Sequence, residues 1–256
     1  MSVDTDADQG EERGSAVGET VRIIIHALLL AVLVRLFLFQ PFNIPSGSMK
    51  STLLVGDYLF VSKYSYGYSK YSFPLSPDIF SGRIWSGTPE RGDVAVFRLP
   101  TDTNIDYIKR VIGLPGDTVQ MRDGQLFLNG KAVPKEPVAG FTDDDFRNGF
   151  GTAPTIRRFK ETLPNGVSYS VLDARPSGAD NTAEYRVPEG HYFMMGDNRD
   201  NSTDSRFQRE VGFVPLENFI GRAEVIFFSA DRDFRIWRFW EWPLTVRFSR
   251  FFDGVD

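Results

Sequence analysis

The feature that most constrains this chain is a block of 20 residues, Val21 to Gln40, of which 16 are apolar. As an α-helix this block would be about 30 Å long, which matches the hydrocarbon core of a bilayer. Arg22 and Arg35 lie near its ends, where long basic side chains can reach the membrane interface. We therefore predict an uncleaved transmembrane anchor over residues 21–40, with a buried core helix as the alternative.

The flanks of this block argue against a cleavable signal peptide, because a basic region before it and an A-x-A-like site after it are both missing. Residues 1–20 hold six acidic side chains against one arginine and show no apolar period, which predicts a disordered acidic tail. Both flanks carry few basic residues, so the Lys/Arg bias does not decide the orientation of the anchor.

The composition excludes several kinds of chemistry. The chain has no cysteine, which rules out disulfides, thiolate zinc sites, iron–sulfur clusters and a cysteine nucleophile. Its two histidines, His26 and His191, are too few for a multi-histidine metal centre. Acidic residues outnumber basic ones by 34 to 29, which argues against nucleic-acid binding through phosphate contacts. A hydrolytic mechanism must use one of these two histidines or none.

After residue 40 the sequence changes to short β-rich runs bounded by Gly, Pro or Asn, with hairpin signals at Asp123-Gly124 and Asn129-Gly130. We predict a mainly β fold, in which a single N-terminal transmembrane helix precedes an antiparallel, β-barrel-like catalytic domain with an inserted smaller β subdomain. The predicted strands are Asp57–Val61, Asp93–Phe97, Asp117–Met121, Gln125–Leu128, His191–Met195 and Ala223–Phe228.

The predicted domain boundaries follow shifts in composition. Residues 41–121 and 187–233 form the catalytic β core, and the looser segment 122–186 is the inserted subdomain. Residues 234–256 are rich in aromatic and basic side chains. On a helical wheel broken by Pro243, five apolar side chains share one face, which favours a membrane-interfacial segment over aromatics that close the β core. These are Trp237, Trp240, Leu244, Phe248 and Phe251.

Two side chains stand out as a candidate catalytic pair. Ser48 lies in the Gly-flanked turn P-S-G-S-M, where its hydroxyl and backbone N–H can both be exposed. A serine nucleophile needs a base, and Lys109 follows two large apolar residues in D-Y-I-K-R. Burial would lower the pKa of a lysine from about 10.4 towards neutrality, so that its amine can accept the serine proton. On residues alone His191 stays open as the base, and so do a turn serine and a solvated lysine without catalytic roles.

The segment G-D-N-R-D-N-S-T-D-S-R, residues 196–206, is dense in polar side chains. Ser202 could orient the Lys109 amine, while Asp204 and Arg206 could hold the segment together. A plain polar loop, a glycosylation sequon at 201–203 and a carboxylate cation site are the alternatives, although the spacing of an EF-hand is missing.

Taken together, these segments resemble the bacterial type I signal peptidases, membrane-anchored serine proteases that remove signal peptides from exported proteins. The resemblance runs from Gln40 to about Ser229, with the sequence boxes of the family in order: SGSM, GDYLFVSKYSYG, RGDVAVF, YIKRVIGLPGD and GDNRDNSTDSR. One departure is Ser51, where the family pattern SGSM-x-P-T-L has proline.

The resemblance implies roles for individual residues. Ser48 would be the nucleophile and Lys109 the general base. The hydroxyl of Ser46 and the backbone N–H of Ser48 would form the oxyanion hole. Ser202 would hydrogen-bond the lysine amine.

In the same way the resemblance implies a supporting ion pair between Asp204 and Arg206, and a structural role for Arg110. The positions that match the substrate groove of the family are Ile44, Met49, Leu53, Tyr107 and Ile108.

The function implied is cleavage of preproteins after small residues at positions −1 and −3, without a metal or organic cofactor and without nucleic acid. The partners implied are membrane lipid and the nearby export machinery, and the location is the bacterial inner membrane, with the catalytic domain on the periplasmic side. Ser48 is nine residues past Phe39, so even an extended chain keeps it within about 30 Å of the anchor. Two rivals are a Ser–Lys peptidase with one dedicated substrate and a non-catalytic membrane-anchored binding module.

Overall fold

The computed structural model describes residues 6–78, 80–143 and 153–255, and for residues 6–17 the backbone alone. The chain divides into two compact units, Met1–Phe39 and Gln40–Asp256.

The first unit contains one helix, α1, over Asp6–Phe37. The predicted disordered tail is therefore wrong for residues 6–20, while residues 1–5 lie outside the described part of the chain. The helix ends at Phe37 and not at Gln40, since Pro41 disfavours helical backbone at the residue before it.

The apolar part of α1, Gly18–Phe37, is long enough to cross a membrane and has a mean hydropathy of 2.1. None of its residues is buried, and Leu30, for example, is 63% exposed. The alternative of a buried core helix therefore does not describe this segment.

The described residues form fourteen strands, arranged in three sheets with antiparallel pairing. A seven-stranded sheet has the order β1-β2-β14-β3-β4-β12-β13, a four-stranded sheet has the order β11-β5-β6-β7, and a three-stranded sheet has the order β10-β9-β8. The strands are β1 Phe39–Asn43, β2 Asp57–Ser62, β3 Val94–Leu99, β4 Asp102–Gly113, β5 Thr118–Arg122, β6 Gln125–Leu128, β7 Lys131–Ala132, β8 Lys135–Thr142, β9 Thr155–Thr162, β10 Ser168–Leu172, β11 Tyr185–Arg186, β12 His191–Met195, β13 Val214–Pro215 and β14 Phe219–Ser229.

The prediction of a mainly antiparallel β fold is confirmed, but the seven-stranded sheet is open among the described residues. Its edge strands are β1 and β13, which contain Pro41 and Pro215. Proline cannot donate a backbone hydrogen bond, so each of these edges is poorly suited to closing a barrel. The barrel-like closure that we expected is therefore not observed.

Both predicted hairpin turns are present in the structure. Asp123 and Gly124 connect β5 to β6 with φ angles of 49° and 72°, and Asn129 and Gly130 connect β6 to β7 with φ angles of 51° and 74°. Two consecutive residues with positive φ are what a tight two-residue hairpin turn requires.

The segment 122–186 shares a core with the seven-stranded sheet and is part of the same compact unit. Strand β5, which we expected in the catalytic core, pairs instead with β6 and β11. Ile112 and Phe193 of the seven-stranded sheet pack in one buried cluster with Leu126 of β6 and Tyr169 of β10. The smaller sheets are thus fused to the main sheet through apolar contacts.

The C-terminal segment is not the amphipathic helix that the wheel predicts. It consists of two 3₁₀ turns around a four-residue helix, α2, over Trp242–Thr245, with Pro243 in its first turn. Arg247 then turns the chain back by donating to the carbonyl oxygens of Val55 and Ala230. Four of the five apolar side chains are nevertheless exposed, namely Trp237, Trp240, Leu244 and Phe248, whereas Phe251 is half-buried.

Candidate active site

The candidate nucleophile lies on a short 3₁₀ helix, Gly47–Met49, that follows an extended residue, Ser46. Met49 is fully buried in a core cluster, which fixes this turn against the sheet. Asn198 holds the other side, because its backbone N–H donates to the carbonyl oxygen of Ser48 at 3.0 Å and its side chain donates to that of Gly47 at 2.9 Å. The turn that carries Ser48 is therefore held from both sides.

Lys109 comes from β4 and meets Ser48 side chain to side chain. Its Nζ lies 2.7 Å from Ser48 Oγ and 2.9 Å from the carbonyl oxygen of Ile108. Ser48 is 7% exposed and Lys109 is 4% exposed. The two residues are 61 positions apart in sequence, so only the fold brings them together.

The surroundings of Lys109 favour its neutral form. Burial lowers the pKa of the amine from 10.5 to about 8, against the carboxylates of Asp204 and Asp197, which act to raise it. The Nζ also lies 5.0 Å from the centroid of the Tyr107 ring. An amine with this pKa is neutral in about one tenth of molecules at pH 7, and this fraction can accept the proton of a hydroxyl 2.7 Å away.

The polar segment 196–206 lies beside Ser48 and Lys109, and most of its polar side chains are buried. Burial by itself would raise the pKa of Asp204, but the charge of Arg206 and its hydrogen bonds hold that pKa below its usual value. Arg206 donates to both carboxylate oxygens of Asp204 at 2.9 Å. The hydroxyl of Ser202 also donates to Asp204, at 2.8 Å, so the hydrogen bond that it makes is to this carboxylate and not to the amine of Lys109.

Gly196 is a site residue that the sequence reasoning did not single out, although it begins the polar segment. A Cβ at this position would come within 2.6 Å of the carbonyl oxygen of Ser48 and 2.5 Å of the Cβ of Ser202. Its N–H donates to Asp204 at 3.0 Å. Glycine is needed here because the segment passes directly against the nucleophile turn.

Arg110, next to Lys109, points to the opposite side of β4 and is fully buried. Its guanidinium donates to both carboxylate oxygens of Asp197, at 3.0 and 2.8 Å, and to the carbonyl oxygen of Gly92 at 2.7 Å. Thr52 donates to the same carboxylate at 2.5 Å. The Arg110–Asp197 pair links β4 to the polar segment 196–206. The hydrogen bond from Thr52 links the same carboxylate to the chain just after Ser48.

The positions implied for substrate contact fall into two groups. Ile44, Met49 and Leu53 are buried in one core cluster, whereas Ile108 and Tyr107 are half-buried. The buried three therefore offer a substrate almost no accessible surface in this structure. The Ser46 residue is exposed, and its hydroxyl makes no cap hydrogen bond to the 3₁₀ helix that follows.

The two histidines have other contacts. His26 lies on α1, where its Nδ1 contacts the carbonyl oxygen of Arg22 at 2.7 Å. His191 begins β12, beside Pro215 of β13, and its Nδ1 contacts the carbonyl oxygen of Glu189 at 2.9 Å. The side chain that reaches Ser48 is that of Lys109.

One group of three carboxylates among the described residues has oxygens close enough to surround a cation: Asp173, Asp180 and Asp200. Lys135 already pairs with Asp173 at 2.5 Å, and the backbone N–H and hydroxyl of Ser177 donate to Asp180. Protein groups thus satisfy much of this cluster.

Comparison with known proteins agrees with the boxes in the sequence. The model of the family described as "Signal peptidase, peptidase S26" matches residues 17–228. The chain is 43% identical over 247 residues to signal peptidase I of Rickettsia akari, covering 89% of each protein. It is 42% identical to signal peptidase I of Rickettsia typhi, covering 89% of this chain and 90% of the relative. The crystal structure of a signal peptidase I from Enterococcus faecalis is 28% identical, with a TM-score of 0.31, over 53% of this chain and 96% of that chain. The matches to the family model and to the Rickettsia proteins show that the chain belongs to the signal peptidases of peptidase family S26.

Proposed function

We propose that this chain is a membrane-anchored serine endopeptidase that removes N-terminal signal peptides from exported preproteins, with Ser48 as nucleophile and neutral Lys109 as general base. The observation that carries the proposal is the buried contact of 2.7 Å between Lys109 Nζ and Ser48 Oγ, together with a lysine pKa lowered by burial to about 8.

In the proposed reaction, the neutral amine of Lys109 accepts the hydroxyl proton as Ser48 Oγ attacks the carbonyl carbon of the scissile peptide bond. The C–N bond of the tetrahedral intermediate then breaks, and the Lys109 ammonium gives its proton to the leaving amine. The signal peptide remains as an ester on Ser48. A water molecule then attacks this ester while it gives a proton to Lys109. The C–O bond to Ser48 breaks, Lys109 returns the proton to Ser48 Oγ, and the signal peptide leaves with a free carboxyl group.

The negative charge of the tetrahedral intermediate needs donors that are already in place. The backbone N–H of Ser48 and the hydroxyl of Ser46 are assigned this role. Support comes from the exposed position of Ser46 directly before the nucleophile turn and from its lack of a cap hydrogen bond.

An extended substrate has a strand edge to pair with beside the dyad. β12 pairs with β4 from Gly113 to Arg110, whereas β3 pairs with β4 as far as Asp102. Among the described residues, no strand pairs with the β12 side of β4 alongside Tyr107 and Ile108, so a peptide can add there as a further strand. Selection of small side chains at positions −1 and −3 is proposed for this edge, where Ile108 packs against the apolar cluster that holds Ile44, Met49 and Leu53.

The membrane part of the proposal rests on two exposed apolar surfaces. α1 supplies a span of 20 residues over Gly18–Phe37, which would anchor the enzyme in the bacterial inner membrane with its catalytic unit on the periplasmic side, near the export machinery. The C-terminal segment exposes Trp237, Trp240 and Leu244, beside Arg235 and Arg238. Tryptophan with arginine is a composition suited to the lipid interface.

The test uses the full chain in lipid vesicles with a preprotein whose signal peptide ends in A-x-A. Ser48→Ala and Lys109→Ala should each lower the cleavage rate by at least about 10³-fold, because each removes a group that acts in bond breaking. His191→Ala is the matched control and should cleave at the wild-type rate. A folded Lys109→Ala variant with wild-type activity would overturn the Ser–Lys assignment, and loss of the chemical step in His191→Ala would restore a Ser–His mechanism.

A further inference from the structure

A buried cluster of polar side chains joins the three-stranded sheet to the catalytic segment. Glu161 of β9 is fully buried, and both of its carboxylate oxygens accept hydrogen bonds from the guanidinium of Arg199, at 2.8 and 2.5 Å. The hydroxyl of Tyr169, on β10, donates to Glu161 at 2.9 Å. A bidentate ion pair with a third hydrogen bond, buried away from water, fixes the orientation of the Arg199 side chain as well as its distance from Glu161.

The position of Arg199 bears directly on the nucleophile. Its neighbour Asn198 supplies both hydrogen bonds that hold the carbonyl oxygens of Gly47 and Ser48. The carbonyl oxygen of Arg199 accepts from Arg206 at 2.7 Å. A shift of the Arg199 side chain would therefore move the backbone of Asn198, which holds the turn that carries Ser48.

The same sheet also reaches the strand that carries the base. The guanidinium carbon of Arg110 lies 4.3 Å from the centroid of the Tyr169 ring, a stacking contact between a cation and an aromatic face. Arg110 follows Lys109 on β4 and pairs with Asp197. Tyr169 therefore touches one partner on each side of the dyad, Arg199 on the nucleophile side and Arg110 on the base side.

We infer that Glu161, together with Tyr169, is a positioning residue for the Ser48–Lys109 pair, so that the segment 122–186 is part of the catalytic apparatus. The inference rests on the proposed dyad. Catalysis by a fixed pair of groups is sensitive to displacements well below the length of a hydrogen bond. Glu161 and Tyr169 act through Arg199 and Arg110, since neither contacts the reacting atoms.

The test is Glu161→Gln in the full chain, with Glu136→Gln as matched control because Glu136 is an exposed residue on the neighbouring strand β8. The substitution keeps the size of the side chain and removes its charge. We expect kcat to fall by about 10- to 100-fold with KM within about threefold of the wild-type value. A purely structural role would lower the yield of folded enzyme and leave kcat of the folded fraction unchanged.

A folded Glu161→Gln variant with wild-type kcat would overturn the inference. If this variant does not fold, Tyr169→Phe decides, since it removes only the hydroxyl and keeps the ring against Arg110. A lower kcat at constant KM supports the inference, and an unchanged kcat ends it. Lys109→Met is assayed in parallel. If it is active, the dyad itself is wrong, whereas an inactive Lys109→Met beside wild-type Glu161→Gln or Tyr169→Phe would remove only the positioning role.

Discussion

Two buried lysines near the nucleophile have different partners. Lys50, two residues after Ser48, is 1% exposed, and its Nζ donates to the carboxylate of Asp143 at 2.6 Å. Lys109 is nearly as buried, but the atoms that its Nζ contacts are the neutral oxygens of Ser48 and Ile108. The Asp204 carboxylate near Lys109 is itself bound by Arg206.

The comparison shows that burial alone does not make a lysine a base. A carboxylate in contact with the amine forms an ion pair, and the lysine then serves as a cross-link between distant segments. Near Lys109 the carboxylate of Asp204 is paired with Arg206 instead. Burial therefore dominates and lowers the pKa of the Lys109 amine. The partner decides which of these two roles a buried lysine has.

The largest effect is expected from Lys109→Arg, which replaces the proposed base with a permanently charged side chain. Arginine keeps a cation in the pocket but cannot deprotonate at working pH, so kcat/KM should fall by at least about 10³-fold. The measurement is cleavage of a preprotein, with thermal unfolding as the control for folding. Activity within tenfold of the wild type would contradict the idea that a neutral amine is needed.

The converse change, Lys50→Met, should act on stability. It breaks the buried ion pair with Asp143 by removing one partner, which typically costs about 3–5 kcal/mol. The measurement is the free energy of unfolding in urea. The double substitution Lys50→Met with Asp143→Leu should recover much of the loss, and a single variant as stable as the wild type would show that the pair is not a cross-link.

Lys109→Met should have a stability effect that depends on pH. The folded-state pKa of about 8 is below the unfolded value, so between these values the unfolded chain binds the extra proton and wild-type stability rises with pH. The difference in pKa corresponds to about 3 kcal/mol. Relative to the wild type, the methionine variant should therefore be more stable by about that amount at pH 7 than at pH 10.5. Parallel unfolding curves at both pH values would contradict the lowered pKa.

The smallest effect is the pH dependence of wild-type cleavage. Below the pKa of about 8 the neutral amine becomes scarcer, and kcat/KM should fall about tenfold for each further pH unit. The measurement is the pH–rate profile with one titrating group on the acidic side. A flat profile between pH 5 and 7 would mean that the base is not a lysine of this kind.

The sequence predicted local features well. Strands Gln125–Leu128 and His191–Met195 have the predicted bounds, because alternation and flanking turn residues are local signals. The pairing of Ser48 with Lys109 was reached by the lysine chemistry and by the resemblance, not by any pattern within either segment. Glu161 and Tyr169 carry no signal of this role in the sequence, since Arg199, their shared partner, lies 38 and 30 positions away.

The failures of prediction have physical reasons. The wheel of the C-terminal segment assumed a continuous helix, whereas Pro243 and the hydrogen bonds of Arg247 impose a folded-back chain. The acidic tail was expected to lack structure because it lacks an apolar period, yet from Asp6 onwards it continues α1. Both errors came from reading composition where longer-range contacts or a neighbouring element decide.

The contacts between the C-terminal segment and the chain after Ser48 also affect the order of folding during synthesis. Arg250 donates to the carboxylate of Asp57 and to the carbonyl oxygen of Thr52, across 193 and 198 positions of sequence. During synthesis the loop after Ser48 therefore leaves the ribosome long before the arginine that fastens it. Contacts this distant close slowly. The enzyme should acquire activity only once residues near 250 have emerged, which delays proteolysis until the rest of the unit has folded.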